Sequence, residues 1–97
     1  MMKTVNDPYE RFKALLNENS EFPGPYTHKF IGANTPEFRK LVSEFESKFI
    51  GLTRTGEKTS ASGNHVSFTY EYIAASAEDV VELAIKTKEI PGVLYIL

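Results

Sequence analysis

Few residues of this chain could do chemistry. His28 and His65 are its only histidines. Imidazole titrates near neutrality and ligates metals, so each invites a metal or acid–base role. Neither has Asp, Glu or a second histidine at ligand spacing, and both fit surface or half-buried strand positions. Gly32-Ala33-Asn34-Thr35-Pro36 joins a strand to a helix start, where free backbone N–H groups attract anions and carboxylates. The same residues serve equally as a turn and a cap. Ser62-Gly63-Asn64-His65 combines a backbone that permits close approach with hydroxyl and amide hydrogen-bonding groups. It also reads as a connection between antiparallel strands. The candidate ligand-binding set is therefore Gly32, Asn34, Thr35, Ser62, Gly63, Asn64 and His65. No catalytic residue, metal or cofactor is expected. No Ser-His-Asp order, phosphate-binding loop or carboxylate pair stands out. Glu78 and Asp79 are explained by a helix first turn, and Glu44 and Glu46 by a solvated helix face.

The elements that must position these residues follow from spacing. Asp7-Pro8-Tyr9-Glu10 reads as a helix start, with Tyr9, Phe12, Leu15 and Leu16 forming an apolar stripe that runs out near Asn17 to Ser20. Phe22-Pro23-Gly24-Pro25 breaks it and reads as a linker. Residues 26–31 are a first strand and Gly32-Ala33-Asn34 a turn. Thr35-Pro36 opens a helix whose Phe38, Leu41, Val42, Phe45 and Phe49 share a face. Gly51 ends it. Residues 52–59 are a Thr-rich strand. From His65 to Ile73 the chain alternates, with Val66, Phe68, Tyr70 and Tyr72 on one face and polar residues on the other. Ser76 caps a last helix carrying Val80, Leu83, Ala84 and Thr87. Val93 to Leu97 is an apolar run, read as a strand buried on both sides.

The order is (α)βαββαβ. Right-handed crossovers place the strands as 4-1-3-2. The expected fold is an α+β, ferredoxin-like βαββαβ sandwich: a four-stranded antiparallel sheet, two helices on one face, and an extra N-terminal helix. Residues 1–21 are expected to form a helical extension and 22–97 the domain proper.

Composition narrows function by exclusion. With 97 residues the chain makes one domain. There is no cysteine, which removes disulfides, thiolate metal sites and thiol catalysis. The net charge is −2 and the basic residues are scattered, so nucleic-acid binding is not expected. The exposed sheet face carries Ser67, Thr69 and Glu71 rather than the aromatics that stack on RNA bases. The first residues lack a signal-peptide apolar run, and no stretch approaches the ~20 apolar residues of a membrane span. A cytoplasmic protein with no membrane association is expected.

Phe22-Pro23-Gly24-Pro25-Tyr26-Thr27-His28-Lys29-Phe30-Ile31-Gly32 resembles the opening "FP-x-P-[FY]-x-x-K-x-x-G" of the YbeD-like proteins, small bacterial proteins of unknown function. Ser60 to Ser67 is similar to their "S-S-x-G-N-Y-x-S" stretch, and Ile90 to Leu97 to their terminal "V-x-x-V-L" strand. His65 stands where they carry Tyr, and Ser62 where Lys is common. The resemblance implies a ferredoxin-like fold close to the ACT domains that bind amino acids, and implies no catalysis. Two functions are expected to compete. One is a non-enzymatic regulatory or interaction module acting through a protein partner or self-association. The other is an ACT-like sensor of an amino acid or related small molecule.

Overall fold

The computed structural model of the chain describes residues 9–97. The proposed Asp7 cap and Pro8 lie outside them. Three helices and four strands follow in the order α1 (Glu10–Asn19), β1 (Gly24–Ala33), α2 (Pro36–Lys48), β2 (Thr53–Thr59), β3 (His65–Ala74), α3 (Ala77–Lys88), β4 (Val93–Ile96). The strands form one antiparallel sheet in the order β2-β3-β1-β4. Read from the other edge this is 4-1-3-2, the ferredoxin-like arrangement expected from the sequence.

Local chemistry starts and stops each element. The Thr35 hydroxyl accepts from the Phe38 N–H at 3.1 Å, with Pro36 opening α2. The Ser76 hydroxyl accepts from the Asp79 N–H at 3.4 Å, and Asp79 accepts in turn from the Ala75 N–H. This reciprocal closure is the capping-box arrangement shifted by one residue. Between β2 and β3, Gly63 takes φ +81° in the turn, a conformation side chains other than glycine resist.

Alternation along β1 and β3 puts Phe30, Phe68, Tyr70 and Val66 on the helix-covered face, all essentially inaccessible. Phe30 lies at the centre. Its ring stacks on Tyr70 at 5.7 Å and meets Phe38 and Phe45 edge-on at 6.4 Å each, the geometries that aromatic quadrupoles favour. A second cluster joins α1 to α3: Leu16 is buried with Ala74, Ala77, Val80 and Val81, and Phe12 and Phe22 pack around them.

Several local expectations are corrected. β1 is longer than residues 26–31. It includes Gly24 and Pro25 and runs through Gly32 to Ala33, because β3 pairs with it over all ten residues. β4 reaches only residues 30–32 of β1. At Pro25, β1 therefore lacks a β4 neighbour, and a proline there is tolerated. Helix α1 starts at Glu10, with Tyr9 in the cap position and no side-chain cap. β4 is not buried on both sides. It is an edge strand, and Leu94, Tyr95 and Leu97 are exposed. Leu41, Phe45 and Phe49 are half-buried rather than core, because a groove lined by Leu41, Phe45 and Ile90 opens between α2 and the end of α3.

The fold predicts a graded response to truncation. Phe30→Ala is expected to cost about 3–5 kcal/mol in urea unfolding, and Phe45→Ala clearly less. Equal losses would place the centre of the core in α2 rather than in the sheet.

Candidate functional site

The residues singled out in the sequence do come together. Asn34 and Asn64 lie in adjacent loops at one end of the sheet, because Ala33 pairs with His65 across β1 and β3. Their polar atoms are turned on one another. The Asn34 N–H donates to the Asn64 carbonyl at 3.0 Å, and the Asn34 side-chain amide donates to the Gly63 carbonyl at 2.8 Å. The Asn34 side-chain oxygen accepts from Arg39 Nε at 2.8 Å. The Thr35 hydroxyl is the α2 cap. The Ser62 hydroxyl accepts from the Asn64 N–H at 3.3 Å, and the His65 N–H donates to the Ser60 hydroxyl at 3.1 Å. Gly32 is explained by packing: a Cβ there would enter the Phe38 ring. These groups act first as mutual hydrogen-bond partners that join the two loops.

The histidines part company. His65 is exposed at the start of β3. His28 is 2% exposed, against the expectation of a surface or half-buried residue. Its Nε2 lies 2.9 Å from the Thr87 hydroxyl, which donates its own proton to the Leu83 carbonyl at 2.8 Å. With that proton on the Leu83 carbonyl, Nε2 is the donor to Thr87. The bond ties the middle of β1 to α3. Among the described residues, no group of three or more His, Asp or Glu side chains could hold a metal ion.

Sequence reasoning missed a charged network. Glu46, read as solvated, accepts from the Tyr70 hydroxyl at 2.5 Å and pairs with Arg54 at 2.6 Å. Arg54 also meets Glu57 at 3.1 Å, and Glu57 meets Arg39 at 2.7 Å. Arg54 lies over the Phe68 ring, 4.6 Å from its centroid. Burial, then Glu46, pushes the Tyr70 phenol well above its ordinary range, so it stays protonated and donates. The hydrogen bond from Arg39 holds Glu57 below the usual carboxylate range. The network covers the β2 side of the sheet and joins it to α2. The pattern that could have revealed it is register: Arg54 pairs with Tyr70, so the two side chains share the helix face.

The two sheet edges differ in kind. β2 carries Arg54, Glu57 and Lys58 and a register shift between Arg54 and Gly56, features that discourage strand addition. β4 also has a register shift, where Ile31 pairs with Tyr95 and Gly32 with Val93, but residues Val93 to Leu97 include no charged side chain. Leu94 is 51% exposed, Tyr95 65% and Leu97 62%. The Leu97 N–H donates to the Lys29 carbonyl at 2.8 Å, so in an antiparallel ladder Ile96 directs its own N–H and C=O outward. Around the corner, Leu94, Tyr95 and Ile31 line a shallow trough on the open face, with Ser67 and His65 also in its wall. The arrangement can accept a further strand and cover apolar surface as it does so.

Residues 17–97 match the family described as "Protein of unknown function (DUF493)". A UPF0250 protein of Cronobacter sakazakii is 36% identical over 72 residues, covering 73% of this chain and 83% of the relative. The chain belongs to the DUF493 family, and the resemblance seen in its sequence motifs is thereby confirmed. Among the described residues no helix is long and apolar enough to cross a membrane.

A pH dependence follows from His28. Burial lowers its pKa from 6.5 to about 4. Between these values the unfolded chain binds the extra proton, so stability rises with pH across the window. The contribution of the neutral ring is complete above about pH 6.5 and lost as pH falls toward about 4, a change on the order of 3 kcal/mol. Urea midpoints of the wild type are expected to fall through that window, and those of His28→Phe to fall much less. Parallel curves would assign the acid sensitivity to other groups.

Proposed function

We propose that this member of the DUF493 family is a non-enzymatic interaction module that self-associates through β4. The observation that carries the reading is the contrast between the sheet's edges: one carries three charged side chains, the other is apolar with none. Soluble proteins protect edge strands, so an unprotected edge marks a surface that is covered in use. A second copy is the occupant that the chemistry favours. In an antiparallel β4–β4 pair about a two-fold axis, each apolar side chain meets another apolar side chain, and no like charges within the two strands are opposed. The outward N–H and C=O of Ile96 would gain partners, and Leu94 and Tyr95 would lose solvent contact. Two four-stranded sheets would become one of eight strands, with the open-face troughs side by side.

A second reading, a sensor of an amino acid or related metabolite at Gly32, Asn34, Thr35, Ser62, Gly63, Asn64 and His65, draws on the meeting of those loops at one end of the sheet. The three hydrogen bonds already made by Asn34 weigh against it as a ligand donor.

Sedimentation velocity tests the first reading. The wild-type chain is expected to sediment as a dimer at micromolar concentration. Tyr95→Lys, which places two cations near the axis, is expected to give a folded monomer by circular dichroism. A wild-type monomer throughout the micromolar range, or an unchanged dimer in Tyr95→Lys, defeats β4 self-pairing.

A further inference from the structure

The two nitrogens of His28 have different fates. Nε2 is bonded to Thr87, whose hydroxyl proton goes to Leu83. Nδ1 is then the lone-pair nitrogen, and among the described residues no side chain or backbone group is bonded to it. Among the described residues no buried side-chain nitrogen or oxygen is both sealed from solvent and without a partner. Nδ1 must therefore reach an opening, and His28 lines one: a groove of about 450 Å3 bounded by α1, α3, β1 and β4. The rest of the wall is largely apolar, with Phe12 from α1, Val80 and Ala84 from α3, Tyr26 beside His28, and Ile96 from β4. An apolar cavity with one directional acceptor in its wall has the makings of a small-molecule site. The Thr87 bond accounts for holding β1 to α3. It does not account for the second nitrogen, which a phenylalanine in the same place would not supply.

We propose that this groove binds a compact, mostly apolar molecule carrying one hydrogen-bond donor, a hydroxyl or an N–H, which Nδ1 of His28 accepts. Burial keeps the imidazole neutral at physiological pH, so the lone pair is available. The volume accommodates a fused two-ring molecule. Lys88 stands at the mouth, exposed, where it faces whatever part of the molecule remains in water. The site is separate from the loops at Asn34 and Asn64. It shares only its β4 wall with the proposed dimer edge, so the two readings succeed or fail on different measurements.

The test uses indole as the probe, with indene as a partner of the same shape that lacks the N–H. The chain contains no tryptophan, so indole fluorescence is read with no indole background from the protein. The full chain, labelled with 15N at histidine, is titrated with each. Indole is expected to bind saturably and to move the Nδ1 resonance of His28 while leaving His65 unmoved. Indene is expected to bind about three- to tenfold more weakly, the worth of one hydrogen bond. His28→Phe is expected to remove the difference between the two probes, and Ala84→Met, which fills the groove without touching His28, to weaken both. The proposal is overturned if indole fails to saturate in the millimolar range. It is overturned equally if indole and indene bind the wild type alike, or if Ala84→Met leaves indole binding unchanged.

Discussion

The ring of Phe30 is the contact on which the rest of this domain depends. It sits on the central strand, stacked on Tyr70 and met edge-on by Phe38 and Phe45. Phe38 in turn occupies the space that a side chain would take at two positions. A Cβ on Gly32 would enter its ring, and one on Gly92 would come within 2.8 Å of it. Gly92 also needs a positive φ, +101°, which other residues resist. The first helix after the sheet's central strand and the turn into the last strand therefore close on the same aromatic ring. Packing this dense leaves little latitude for volume changes at any member.

A core built around aromatic rings in a chain this small has to manage the polar atoms those rings bring inside. Two solutions appear. Tyr70 reaches the rim and gives its proton to Glu46, which Arg54 neutralises. The arginine's other neighbours are a carboxylate and the Phe68 face, so its charge is distributed over a network rather than held in one exposed pair, which alone would contribute little. His28 is handled differently. It is buried, uncharged, and bonded to a threonine that itself donates one turn back along its helix. The first solution uses charge at a wet boundary and the second avoids charge in a dry one, as desolvation requires.

How much of this was legible in the sequence depended on the range of the determining contact. The sheet order followed from short-range periodicity and the handedness of crossovers, and the Thr35 and Ser76 caps from residue type and position. His28 was misplaced because alternation in β1 is obscured: Lys29 and Ile31 are both half-buried, and the partner that makes burial tolerable, Thr87, lies 59 positions away. Glu46 was misplaced for the same reason, since helical periodicity assigns it to the outer face and only the β2–β3 register brings Arg54 and Tyr70 to it. At the proposed ligand loops, the sequence showed which groups could bind but not that Asn34 and Gly63 would satisfy each other. Val93 to Leu97 misled most. A continuous apolar run usually means a strand buried on both faces, yet this one lies at the edge of the sheet.

That last exception is itself informative. An apolar strand at an edge is a liability in a free monomer, and β2 shows that this sequence can protect an edge when it needs to, with three charged residues. Protection of one edge and not the other is difficult to explain by folding stability, because the exposed faces of Leu94, Tyr95 and Leu97 contribute little burial to the isolated domain. Nor does the core require them: Val93 and Ile96 are the β4 residues that pack against it. The exposed residues are thus unaccounted for by the fold, and apolar surface that the fold does not use is accounted for by what covers it. The same strand supplies one wall of the groove beside His28. Pairing at the outer edge of β4 and occupancy of the groove behind it would engage the same four residues, so whatever coupling joins the two events is equal in both directions.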